Sequence, residues 1–395
     1  MMKPITAFCI IFIPLLFILS CNNSEKAFVN DNEFTLVEVD TVHIPIDTVT
    51  TPYDISISHY TDDRSKIEYL ILMNRKNNSL QFYDWATQKL YKTVSLEREG
   101  PNGVGGALSF HFQSWDSIYV LASYHYRLSL IDTTAKVKQK YRLLKTDMKL
   151  DEGRVSRPQG EYSALPSSNY MNPLIKVGSF IYMTGVPDLN INSLEYYKKG
   201  RIGIQLSLEN GQIEYYKDYP QMYRDKYFFP PQYITKFSST YIPNKNKIIY
   251  SFPIDENLYE LDLKTGNINA IIPDKSQYFK ELKPISKKAD RDMNTDYLYS
   301  VNNVSYERII YDQYRKVYYR FTNIPNTKKK DEYDNQPYVV HSVVILDENL
   351  KKLGETILNE RYTVGYHLCL PDGLYLQKYN FSEDEIAFVK FTLKN

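Results

Sequence analysis

Short apolar runs separated by tight polar turns fill the chain from Phe34 to its end. The clearest unit is KIIYSFPIDENLYELDLKTGNINAIIPD from Lys247. It reads as an apolar strand, a break, a second strand ending near Asp, a tight turn and a third strand. The same order starts at Ile67 and Ile118, runs through IYMTG and Arg201, returns at Lys316 and Val339, and ends with a copy from Leu374. Aligning the turns gives anchors at Asp84, Asp132, Ser207, Asp262, Asp347 and Thr392. A further β-like segment precedes each copy, namely YDISISHY, LSFHFQSW, LIKVGSF, ITKFSSTY, VSYERIIY and YTVGYHLCL. Four short antiparallel strands, a to d from inside outwards, make one propeller blade, and six such units make a ring. The sixth copy stops before its d strand, and FTLVEVDTVHIPI from Phe34 supplies a spare one. The expected fold is all-β: a single six-bladed β-propeller over residues 34–395, closed by its N-terminal strand, which completes the last blade and removes a sheet edge.

The segment ahead of the repeats has a different pattern. Lys3 precedes a nearly unbroken apolar run from Ala7 to Leu19, too short for a comfortable membrane span and placed as in a signal peptide. It ends in Ile18-Leu19-Ser20-Cys21, which resembles the lipobox of bacterial lipoproteins. The expected organisation is a signal peptide over 1–20, lipid on Cys21, a polar tether over 21–33 and the propeller over 34–395. An ordinary secretory signal is the alternative.

Composition narrows the classes. Tyr occurs 37 times, which suits pleated, half-buried strands. The formal charge is +1, and removing residues 1–20 removes Lys3, leaving a neutral chain. Nucleic acid is therefore not an expected partner, since phosphate needs a basic field. Only Cys21 and Cys369 follow the signal, so with lipid on one no internal disulfide is expected.

The segment EREGPNGVGG, Glu97–Gly106, follows a d strand, and its most specific part is Glu99-Gly100-Pro101-Asn102-Gly103-Val104-Gly105. With the lipobox, the Tyr richness and the blade pattern, it resembles a family of Bacteroidetes lipoproteins of unknown function, six-bladed propellers similar to NHL and TolB-type proteins. The resemblance spans Cys21 to Asn395. It implies fold and location, and no reaction.

Candidate chemistry comes from loop lengths. The a–b and c–d turns are short, whereas the long connections (Val186–Gly200 and Asn323–Pro337 between b and c; Lys145–Tyr170, Tyr219–Gln232 and Pro273–Asn302 between d and a) share one face. Function concentrates on loops carried by one side of a rigid scaffold. The candidate contacts there are Arg98, Glu99, Asn102, His125, Arg127, Arg154, Arg157, Tyr223, Arg224 and Tyr227. Arginine beside aromatic rings suits a glycan, a peptide or an envelope protein, although an aromatic in such a loop more often packs the loop onto the blades. Gly100, Gly103, Gly105 and Gly106 lack the Gly-Lys-Ser/Thr of a phosphate loop and fit a tight turn with positive φ. His59, His111 and His367 fall on a strands of neighbouring blades with compatible orientation but unequal depth, so separate histidines are favoured over a shared ion, and no metal or cofactor is expected. Cys369 reads as a small buried hydrophobe, and no Gly-x-Ser-x-Gly elbow is present. The function expected is a membrane-anchored envelope lipoprotein, at the outer membrane, with a non-catalytic ligand- or protein-binding propeller. The alternative is a propeller enzyme, a lactonase-like hydrolase or a lyase, using polar groups in the central channel.

Overall fold

The computed structural model describes residues 33–53, 55–122, 126–144, 149–151, 154–156, 163–190, 193–225, 237–285, 293–330, 337–379 and 382–395. The expected signal peptide, Cys21, the tether up to residue 32, and the candidate contacts His125, Arg157 and Tyr227 lie outside these residues; for Arg154 the backbone alone is described.

Six antiparallel sheets follow one another along the chain, each with the strand order a-b-c-d. Blade 1 is built from Ile55–Thr61, Glu68–Asn74, Ser79–Asp84 and Leu90–Ser95. Blade 2 is built from Ala107–Ser114, Ser117–Ala122, Arg127–Ile131 and Val137–Arg142. Blade 3 comprises Ile175–Val177, Phe180–Val186, Arg201–Ser207 and Ile213–Asp218. Blade 4 comprises Ser238–Ile242, Lys247–Ser251, Leu258–Asp262 and Ile268–Ile271. Blade 5 comprises Ser305–Asp312, Val317–Lys330, which is the longest described strand, Pro337–Leu346 and Lys352–Ile357. In blade 6, Tyr362–Leu370, Gly373–Lys378 and Glu385–Lys394 are completed by Thr35–Pro45, which pairs antiparallel with the last strand from Thr35↔Lys394 to Pro45↔Glu385.

Inner and outer strands differ for a simple reason. A b strand is covered on both faces by the neighbouring blades, so Glu68–Asn74 is an apolar run buried along nearly its whole length. The d strand Leu90–Ser95 is mostly exposed and mostly polar. The core is therefore divided into six hydrophobic clusters, one between each neighbouring pair of blades. The cluster joining blades 6 and 1 contains Ile44 of the N-terminal strand with Leu70, Tyr83 and Phe388.

The long connections depart from plain loops in places. Asn323–Lys330 continues the b strand of blade 5 and pairs with its c strand as far as Lys330↔Pro337. The loop-like residues Pro325, Asn326 and Lys328–Lys330 are absorbed by an irregular step in that ladder between Pro325 and Lys330. Short helices occupy other connections: Leu194–Lys199, Gln221–Asp225 and Met293–Val301. Ser193 caps the first of these through a hydrogen bond from the Glu195 amide, 3.1 Å.

Candidate functional site

Tyr223 is a correction. It is only 1% exposed, packed among Tyr197, Tyr219 and Phe252 with ring centroids 5.6–6.0 Å away. Burial holds its hydroxyl well above the ordinary tyrosine range, and the backbone of Ile254 hydrogen-bonds it. The ring fixes the helix Gln221–Asp225 onto blades 3 and 4 and cannot reach a ligand. The adjacent Arg224 is half-buried and sits 3.9 Å from Asp218, which also pairs with Arg201.

The glycine segment is a turn, as expected. Gly100 has φ +85° and Gly105 φ +80°. At Gly103 an added Cβ would lie 2.5 Å from the Glu99 backbone. Arg98 and Glu99 are exposed on this turn. Asn102 is committed to structure, its Oδ1 accepting from the Val137 amide at 3.2 Å. The residue that locks the segment escaped sequence reasoning. Asn78, 1% exposed, donates to the carbonyls of Leu96 (2.8 Å) and Gly105 (3.0 Å) and accepts from the Ala107 amide (2.8 Å). Arg127 begins the exposed end of the blade 2 c strand, and Arg154 lies on a small hairpin opposite Asp151.

The three inner-strand histidines have separate surroundings. His59 faces Glu68 at 3.6 Å, His111 hydrogen-bonds the Leu174 backbone, and His367 stands beside Arg308. Burial pushes His111 down to about 4, and burial with the Arg308 charge pushes His367 down to about 3. Among the described residues no three His, Cys, Asp or Glu side chains are grouped to hold a metal ion. Cys369 is partly buried, and desolvation raises its thiol far above its usual range, in keeping with an unreactive group.

What the fold assembles instead is a cleft of about 210 Å³ at the end of the ring where the b–c and d–a connections emerge. Its inner wall is Ser305, Tyr306 and Glu307 of the blade 5 a strand. Asn323 and Val339 of the long blade 5 hairpin, Ser300 and Val301 of the helix Met293–Val301, Pro253 of blade 4, and Tyr170 with Met171 from the connection entering blade 3 complete it. None of the candidate contacts that lie among the described residues lines it.

Local chemistry explains how these side chains are held. Tyr306 is sandwiched between Phe279, stacked at 4.4 Å, and the Arg320 guanidinium, 3.4 Å from the ring centroid. Gly365 on blade 6 lets Tyr170 approach, since an added Cβ would lie 2.4 Å from its ring, and Tyr170 packs on Tyr366 with centroids 4.5 Å apart. Glu307 and the buried His341 are joined at 2.8 Å between Oε2 and Nε2. The Asn323 Oδ1 is buried and has no hydrogen-bond partner among the described residues. The cleft thus offers a carboxylate, an amide and aromatic surface to a ligand.

A family model described as a domain of unknown function (DUF4221) matches residues 33–357. Among solved structures, a member of this family from Bacteroides vulgatus is similar at 22% identity, TM-score 0.75, over 92% of this chain and 99% of that one. Kuenenia stuttgartiensis hydrazine synthase is a weaker likeness, TM-score 0.43 at 13% identity, covering 86% of this chain and 77% of that one. No protein of curated function matches the sequence. An unknown-function family and a Bacteroides relative agree with the resemblance read from Glu97–Gly106. The chain belongs to the DUF4221 family and folds as a six-bladed β-propeller.

Proposed function

We propose that this protein is an envelope lipoprotein, anchored through Cys21, whose propeller binds a ligand or protein partner without transforming it. The binding face is the one bearing the b–c and d–a connections. One observation carries the reading: the cleft at that end is walled by side chains from remote connections converging on the blade 5 a strand. Such convergence of a few polar groups with aromatic and aliphatic surface is the usual form of a binding site. The exposed Arg98, Glu99 and Arg127, with Arg154, belong to the same proposed face as peripheral contacts.

The test is capture from envelope extract, or binding on a glycan array, by the mature chain. Val339→Trp should fill the cleft and abolish capture, while Asn210→Ala and Lys264→Ala in the short turns should leave it unchanged. Capture lost in the short-turn variants and kept in Val339→Trp places the site on the wrong face. Mass spectrometry of the N-terminal peptide from the native host tests the anchor, and an unmodified Cys21 overturns it.

A further inference from the structure

The lining of the long-loop cleft is one-sided in its hydrogen-bond chemistry. Blade 5 supplies the inner wall. Ser305, Asn323 and His341 are Cα partners across its a, b and c strands, so their side chains share one face of the sheet. The a strand carries a β-bulge beside them: Tyr306 pairs with Thr322 and Arg308 with Phe321, which leaves Glu307 as the extra residue. A bulge re-aims the side chain it carries. Glu307 reaches the His341 ring, with 2.8 Å between Oε2 and Nε2, and because a carboxylate only accepts, Nε2 is the donor. His341, 5% exposed, thereby fixes Glu307 as an acceptor on the cleft wall. A carboxylate has about four lone-pair sites, so this bond leaves room for further donors.

Other polar atoms of the cleft also accept. The Asn323 Oδ1 is buried without a partner among the described residues. Ser300 has spent its hydroxyl proton on the Tyr297 carbonyl, 2.7 Å away, and keeps only lone pairs. A buried acceptor without a donor is costly, and folded proteins rarely leave one unserved.

Charge argues against ionic ligands. An anion would meet the Glu307 carboxylate, and no lysine or arginine stands among the described residues that line the cleft. A cation would approach the buried Arg320 guanidinium, 3.4 Å from the centroid of the Tyr306 ring. Neutral donors remain, and hydroxyls are the simplest. A peptide brings a carbonyl with every N–H, which suits a wall of acceptors less well. Shape adds to this. Both faces of Tyr306 are taken, by Phe279 and Arg320, whereas Tyr170 is 37% exposed and held in place by Tyr366. The volume of about 210 Å³ equals that of roughly seven waters, enough for one ring and not for a chain.

We propose that the long-loop cleft holds a single neutral sugar ring, whose hydroxyls donate to Asn323 Oδ1 and Glu307 and whose C–H face rests on Tyr170. The inference rests on the reading that this face binds a ligand, and it names the class of that ligand. Capture by the Val339→Trp variant tests that reading alone.

The test of the sugar is saturation-transfer NMR, with titration, on the mature chain. The probes are the methyl glycosides of glucose, galactose, mannose and N-acetylglucosamine. Methylammonium, acetate and N-methylacetamide serve as cationic, anionic and peptide-like comparisons. At least one glycoside should bind saturably, and the three comparisons should not. Asn323→Leu, which keeps the shape and removes the acceptor, should weaken that glycoside about tenfold or more. Glu307→Gln should weaken it in the same direction, and stands as the second measurement if Asn323→Leu does not fold. Val339→Trp should abolish its binding. The proposal is overturned if no glycoside binds, if a comparison binds in their place, or if Asn323→Leu and Glu307→Gln bind the glycoside as the wild type does. Capture from extract that is lost in Val339→Trp, with no glycoside bound by the wild type, would leave the binding face standing and remove the sugar.

Discussion

Asn78 sits in left-handed backbone, φ 57°, at the b–c turn of blade 1, and three buried hydrogen bonds tie it to the segment that leads into blade 2. Asn78→Ala removes these bonds and the side chain best suited to that φ. The expected loss is about 2–3 kcal/mol, read as a lower urea midpoint. Arg98→Ala on the exposed turn it clamps should stay within about 0.5 kcal/mol of wild type. The glycine turn was legible because positive φ is a local demand of the sequence. Asn78 was not, because nothing in its neighbours announces a partner 18 to 29 residues later. Tyr223 was misread for a related reason: flanked by Met and Arg in a polar stretch, its type does not reveal which side of a short helix meets the blades.

The histidines give a pH dependence with a definite sign. His111 and His367 have folded values of about 4 and about 3, below the ordinary 6.5. Below that ordinary value the unfolded chain takes up protons that the folded chain refuses. Stability is therefore full above about pH 6.5 and falls as the pH drops towards 4. Melting temperatures at pH 7.5 and pH 5 should fall with acidification, and the double substitution His111→Gln/His367→Gln should flatten the slope. Carboxylates held low, such as Asp62 at about 2 through hydrogen bonds from Ser65 and Trp115, add their loss only at lower pH.

At the scale of elements, the strand Thr35–Pro45 shows why closure could be read from a chain end. The last blade is short of one strand, and an unpaired β segment stands at the other end of the sequence. Along this strand Ile44 is fully buried between blades 6 and 1, while Val39, the unpaired residue of a bulge, is 48% exposed. Ile44→Asp should cost about 3 kcal/mol or more, and Val39→Asp less than about 0.5 kcal/mol, both from urea unfolding. Equal effects would mean that the strand adds little to the ring. The blade 5 hairpin was less legible. Pro325, Asn326 and the run Lys328–Lys330 carry loop chemistry, and only pairing with Val339 and Pro337 turns them into strand. The bulge at Glu307 was equally hidden, because an extra residue in one strand is defined by its partner and not by its own sequence.

At the scale of the molecule, six blades and six interblade clusters give a closed ring whose two ends differ. One end carries tight turns such as Glu209-Asn210-Gly211 and Lys264-Thr265-Gly266. The other carries the helices, the long hairpin and the cleft. That asymmetry was written in loop lengths, so the end that carries the long connections could be read from the sequence. The residues of the cleft could not, because they come from segments as distant as Tyr170 and Val339 and meet only in the folded ring. The claim that this end is the binding face is tested most directly by hydrogen–deuterium exchange on the mature chain, with and without the partner recovered by capture. The account predicts protection in peptides covering 169–172, 300–307 and 338–341, and unchanged exchange at 209–211 and 264–266. Protection confined to the short turns, with the cleft peptides unchanged, would contradict it.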